Sequence, residues 1–226
     1  MSNAPPRPRL ISLLRAAFRA NLAPALLLWS ALALLLAGYF FVAPIHQSLN
    51  ALADVKKALG LGFSMPAQAL AGGLLPFLFQ SLQKGAHRKT RLAHVPFLML
   101  FWACQGAVTD RFYAFQALVF GDNAQLSTIL FKTAVDMLIF SPFVAIPLVV
   151  FIFAFKDAGF SPARTVRQLG PRPYRNRVLP VYVAAVLVWA PSVALLYSLP
   201  LALQFPVQAL VQCLWGLILV VMTARD

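Results

Sequence analysis

Asp110, Arg111, Lys132 and Asp136 stand inside long apolar runs of this 226-residue chain. At the centre of a membrane helix each would cost roughly 2.5 to 3.5 kcal/mol on insertion scales, so each demands a partner, water or a function. Intramembrane charges of this kind set ion preference along a pathway or staple helices together. Polar residues accompany them: Gln105, Thr109, Tyr113 and Gln116 recur at four, four and three residues, which makes one stripe of a helix. Gln204, Gln208, Gln212 and Trp215 repeat the device near the C-terminus. Two polar stripes and a set of buried charges point to a shared hydrated interior. The same side chains also serve as hydrogen-bonding glue between membrane helices, at roughly 0.6 to 2 kcal/mol each, and both readings stay open.

Other chemistry is poorly represented. The histidines are His46, His87 and His94, and the last two lie in or beside a basic gap, where solvated or interfacial roles outrank zinc ligation. Gly60-Leu61-Gly62 is too short for a dinucleotide loop, and no Walker sequence or nucleophile motif occurs. No enzyme, cofactor or metal is expected. Cys104 and Cys213 fall in apolar runs, where a thiol acts as a small hydrophobe.

The elements that must carry these residues are membrane spans. Six apolar stretches divide the chain, at 22–44, 61–82, 95–119, 128–155, 179–199 and 206–222. Each is near the ~20 residues a helix needs to cross the hydrocarbon, so the expected fold is all-α, a polytopic membrane bundle of about six helices. Basic residues sort into alternate gaps. Arg7, Arg9, Arg15 and Arg19 lie in the tail, and Lys84, Arg88, Lys89 and Arg91 in the second inside gap. Lys156, Arg164, Arg167, Arg172, Arg175 and Arg177 lie in the third, and Arg225 at the end, against only Lys56 and Lys57 on the opposite side. This positive-inside pattern puts both termini on the inside. A composition of 61% hydrophobic and 11% charged residues agrees, far from the roughly 25% charged of soluble domains. The net charge of +13 sits beside spans with no recognition motif, so the expected partners are the bilayer and its anionic headgroups, with room for a homo-oligomer, and nucleic acid is not one.

Residues 1–21 form a basic tail in which Leu10, Leu13, Leu14, Ala17 and Phe18 follow helical spacing. An interfacial helix, an organelle-targeting segment and a positive-inside flank all fit it. Gly121, Asp122 and Asn123 signal a turn, with Ser127 or Thr128 as N-cap of the fourth span, so spans three and four form a hairpin. From that turn Asp110 and Asp136 lie at similar depths of about 12 to 14 Å, and the expected pairing is Arg111 with Asp136, joined by Lys132 from its own helix. Asp110 is left needing water or a donor. Pro66, Pro76, Pro142, Pro147 and Pro191 predict kinks and freed carbonyls, and Ala69/Gly73 and Ala103/Ala107 predict close helix contacts. The stretch from Lys156 to Arg177 reads as an irregular basic loop.

Several of these positions resemble the family of Mpv-seventeen and the 22-kilodalton peroxisomal membrane protein, of which this chain would be a divergent member. The family's Gly-Pro-x-x-His-x-Trp-Tyr-like motif reads Gly106-Ala107-Val108-Thr109-Asp110-Arg111-Phe112-Tyr113 here, keeping Gly106 and Tyr113. Lys132, Asp136 and Pro142 hold the spacing of a second element, with Met137 in place of Gln. Trp189-Ala190-Pro191 resembles the family Trp-Pro, and Leu199-Pro200 precedes Trp215 by the family interval. Ser192 and Leu195 replace expected polar residues, Gln204 an Arg and Gly216 an Asn. The resemblance implies a family-like core over 61–222 preceded by an extra span at 22–44, residence in an organelle membrane (mitochondrial inner or peroxisomal), and channel-like permeation of small solutes. A channel-like protein for small solutes or ions, with the charge set as selectivity elements, is therefore the leading expectation. A non-conducting scaffold or assembly factor is the alternative.

Overall fold

In a computed structural model, the chain is described over residues 10–82 and 91–223. The described residues are helical throughout and include no strand. Ten α-helices run in chain order: α1 (Leu10–Phe41), α2 (Ala43–Leu59), α3 (Leu61–Gln68), α4 (Leu75–Leu82), α5 (Val95–Phe120), α6 (Leu126–Val135), α7 (Ile146–Asp157), α8 (Pro162–Leu169), α9 (Leu179–Leu196) and α10 (Leu201–Thr223). Three π-helical segments, Ala69–Leu74, Asp136–Ala145 and Tyr174–Val178, join some of these into longer rods.

Among the described residues, four rods are long and apolar enough to cross a membrane: Leu61–Leu82, Leu92–Phe120, Leu126–Asp157 and Tyr174–Leu196. They fall on the second to fifth of the expected stretches. The first expected stretch is different, because α1 begins at Leu10 and the chain turns by 100° between Phe41 and Ala43. Counting that bent pair as one crossing gives five among the described residues, and α10 is the sequence's sixth stretch extended back to Leu201. Residues 10–21 of the expected tail form the start of α1, their side chains lie outside the described residues, and so do residues 1–9, Lys84, Arg88, Lys89 and Arg225.

The bend is built locally. Pro44 opens α2, where its missing N–H costs nothing, and the His46 ring donates from Nδ1 to the Tyr39 carbonyl at 2.9 Å while stacking on the Tyr39 ring. A Cβ at Gly38 would come within 2.7 Å of the Ile45 side-chain terminus, so glycine there gives the returning chain room.

One core is an apolar seam. Leu28, Leu32 and Leu36 recur every four residues on α1 and pack with Leu49 and Ala53 of α2, Val188 and Leu196 of α9, and Leu203 and Val207 of α10. The other, around Tyr113, Met137, Val193, Tyr197, Phe205 and Ala209, joins α5, the 126–157 rod, α9 and α10. The α3 and α5 helices approach closely: a Cβ on Gly106 would lie 2.6 Å from Gln68 Cβ and 2.9 Å from the Ser64 carbonyl oxygen. A Cβ on Gly73 would likewise lie 3.0 Å from Met99 Cα. Gly73, one of the expected small residues, thus makes a close contact, and on α5 Gly106 makes another.

The two ends of the bundle differ in chemistry. At one, Arg91, His94, Lys156, Asp157, Arg164 and Gln168 surround a surface cavity of about 620 Å³. The segment 156–177 is not an irregular loop: Ser161 caps α8 by accepting the Arg164 N–H, and Gly170 ends the helix at φ +68°. At the other end, α5 stops at Gly121 with φ +90°, and Gln125, not Ser127 or Thr128, is the N-cap of α6. The Asp122 carboxylate accepts the Leu201 N–H at 3.1 Å and so caps the start of α10, a favourable place for an anion.

Candidate functional site

The two expected polar stripes meet. Gln105, Thr109 and Tyr113 of α5 face Gln208, Gln212 and Trp215 of α10 across a cavity of about 560 Å³ inside the bundle. The 61–82 rod adds Gln68, Gly72 and Gln80, and the 126–157 rod adds Asp136, Phe140 and Ser141. Tyr182 and Trp189 of α9 close the ring. The wall runs from Tyr113, Asp136, Val193 and Gln208 toward the basic end, where Gln80, Val149, Val181 and Gly216 line it.

Position on the stripe does not decide everything. Gln116 and Gln204 are fully buried but line no part of the cavity. Gln116 donates to the Tyr197 hydroxyl, and Gln204 donates to the Leu199 carbonyl at 2.9 Å. Tyr197 in turn donates to Asp136 Oδ2 at 2.8 Å, and Ser141 reaches Oδ1 at 3.3 Å. Gln116, Tyr197 and Lys132 are 0%, 1% and 1% exposed, so tight packing ends the cavity on the side of the α5–α6 turn.

The expected ion pairing is corrected. Arg111 is exposed on α5 and pairs with neither aspartate. Lys132 does not join an ion pair among the described residues: its ammonium is buried without a hydrogen-bond partner and lies over the Tyr197 ring, 5.6 Å from the centroid. The pair that forms is Lys56 with Asp110, 2.9 Å apart, their side chains 12% and 14% exposed. Its cause is register. The α3–α5 crossing sets Ser64 and Gln68 against Gly106, so running back along α3 toward Gly60 brings the end of α2 level with Asp110. A lysine read as lying on the opposite side of the membrane therefore reaches into the bundle.

The prolines act through the π-helical turns that border the cavity. In the five-residue register of 136–145, the N–H that would reach the Met137 carbonyl belongs to residue 142, a proline. Tyr182 replaces it, donating its hydroxyl to the Met137 carbonyl at 2.9 Å. The same register would satisfy the Pro142 carbonyl from residue 147, again proline, and Tyr174 donates there at 3.2 Å. These two tyrosines let the 126–157 rod widen without orphaned carbonyls, and the widened stretch carries Asp136, Phe140 and Ser141 to the cavity wall. Sequence reasoning missed both tyrosines, whose only signal was their place one helix away from a pair of prolines five residues apart.

Of the positions that carried the family resemblance, Tyr113, Asp136, Trp189 and Trp215 line the cavity. Gly106 makes the α3–α5 contact, Pro142 lies in the π-helical stretch, and Pro200 immediately precedes α10. Cys104 is exposed and Cys213 half-buried, both as free thiols. Among the described residues no cluster of His, Cys, Asp or Glu has the makings of a metal site. No protein-family model, no curated protein and no solved structure matches this chain.

Proposed function

We propose that the chain is an integral membrane protein that takes a small solute into the inter-helix cavity as a step in moving it across the bilayer. The observation that carries this reading is the convergence of Gln68, Gln105, Thr109, Gln208, Gln212 and Asp136 on one void inside helices that are otherwise apolar. A volume of about 560 Å³ falls in the roughly 300 to 1,000 Å³ range of small-molecule sites.

On this reading the rods at 61–82, 92–120, 126–157 and 174–196 cross the bilayer with α1 and α10, and α2 turns across the face opposite the basic end. The basic end faces the inside by the positive-inside rule, and Arg91, Arg164 and their neighbours contact anionic headgroups there. The hydrogen-bonded group Gln116, Tyr197 and Asp136 closes the far side, so the cavity is in an inward-facing form. The family resemblance adds an organelle membrane to the proposal.

The test is solute flux into proteoliposomes and current in planar bilayers, comparing wild type with folded Asp136→Asn. Flux or conductance that the substitution changes by tenfold or more is expected. A folded wild type silent over a range of voltages and solutes overturns the reading. The scaffold reading has one specific observation in its favour: Lys56 and Asp110 pair away from the cavity wall and join helices instead of lining a path.

A further inference from the structure

The geometry points to an organic ammonium ion, a protonated amine on an apolar or aromatic body, as the solute class this cavity takes. This rests on the permeation reading and narrows it. Two features of the wall, each independent of the other, lead to the same chemistry.

The first is charge. Asp136 is the one ionisable carboxylate on the wall, and no Lys, Arg or His lines the cavity among the described residues. Asp136 makes hydrogen bonds to Tyr197 and Ser141 but no ion pair with any described residue. The ammonium of Lys132, one helical turn away, lies over the Tyr197 ring and does not line the cavity. A buried carboxylate left without a cation costs several kcal/mol, and a cationic occupant supplies the missing charge.

The second is the set of rings. Trp102, Tyr113, Phe140, Tyr182, Trp189 and Trp215 wall the cavity, and the faces of such rings attract cations while their area takes up an apolar body. A carboxylate or phosphate solute would meet the Asp136 carboxylate with no cationic side chain on the wall among the described residues.

The test uses the full chain purified in detergent and three probes of one shape, 4-phenylbutylammonium, 4-phenylbutanol and 4-phenylbutyrate. Binding is measured by equilibrium dialysis, with empty micelles as the blank. The ammonium is expected to bind saturably and at least tenfold more tightly than the alcohol, and the carboxylate not to bind. Asp136→Asn is expected to weaken the ammonium at least tenfold and leave the alcohol within threefold. Should that variant fail to fold, the charge series on wild type decides by itself. Saturable binding of the alcohol or carboxylate at the ammonium's affinity overturns the cation assignment and leaves the permeation reading standing. An ammonium affinity unchanged in folded Asp136→Asn overturns it equally. Failure of all three probes to bind overturns the assignment, and the flux measurement above, run on the same preparation, then shows separately whether the permeation reading falls too.

Discussion

The half of the bundle near the α5–α6 turn and the half toward the basic end hold similar inventories of polar residues, but only the second surrounds an open volume. Near the turn, Lys56 pairs with Asp110, Asp122 caps α10, and Gln116, Tyr197 and Asp136 form a chain of hydrogen bonds. Toward the basic end, Gln68, Gln105 and Gln208 line an open volume. Amide oxygens without partners occur in both halves, at Gln68, Gln105 and Gln208 and at Gln116 and Gln204, so the difference lies in packing: the first half leaves no room for an occupant and the second does. Asp136 belongs to both, since Tyr197 holds one carboxylate oxygen from the packed side while the residue lines the cavity.

Substitutions can break each half separately. The largest effect is expected from Gly106→Val, which drives new methyl groups into Gln68 and the Ser64 carbonyl and separates α3 from α5. A loss of about 3 kcal/mol or more, seen as loss of monodisperse protein in detergent, would show that both halves depend on that crossing. Next comes Lys56→Met, which strands the partly buried Asp110 and should cost about 1 to 3 kcal/mol, with most of it recovered in the Lys56→Met/Asp110→Leu double variant. Thermal unfolding of the four-member cycle measures this, and additive losses would deny the pair its role.

A middle-sized effect separates packing from permeation. Tyr197→Phe removes the donor to Asp136 and the acceptor for Gln116, for a loss of about 1.5 to 3 kcal/mol. Because this group ends the cavity, solute flux is expected to rise even as the melting temperature falls. Tyr182→Phe frees the Met137 carbonyl and should cost about 1 kcal/mol, with faster amide hydrogen exchange confined to 136–145. The smallest stability effect is expected for Gln208→Leu. Replacing an unpartnered buried amide with an apolar side chain should leave the melting temperature unchanged or raise it by the equivalent of about 1 kcal/mol, while flux drops.

Much of the fold was legible in the sequence because a membrane helix is a local object. Four of the apolar stretches coincide with rods within a few residues, and the α5–α6 hairpin lies where Gly121 and Asp122 announce it. The polar stripes were legible for the same reason, since spacing along one helix sets which residues share a face. Where the stripes point was legible only in part: Gln105, Thr109, Tyr113, Gln208 and Gln212 share the cavity, whereas Gln116 and Gln204 turn to partners one helical turn beyond it.

The charge pairing was the clear failure. Depths counted from the hairpin matched Arg111 to Asp136, but depth is one coordinate, and rotation about the helix axis sends Arg111 outward and Asp136 inward. The partner of Asp110 came from a segment set aside as an outside gap, which folds as α2 after a 100° turn. No count along α5 or α6 contains that information, because Gly106 against Ser64 and Gln68 sets it. Composition, hydropathy and charge order determined by themselves the helical class and which end of the bundle is basic, since apolar run length and local hydrogen bonding decide both. Only the tertiary structure decided which charges pair, which glutamines remain unpartnered and where the cavity ends, because each depends on the rotation and register of helices far apart in the chain.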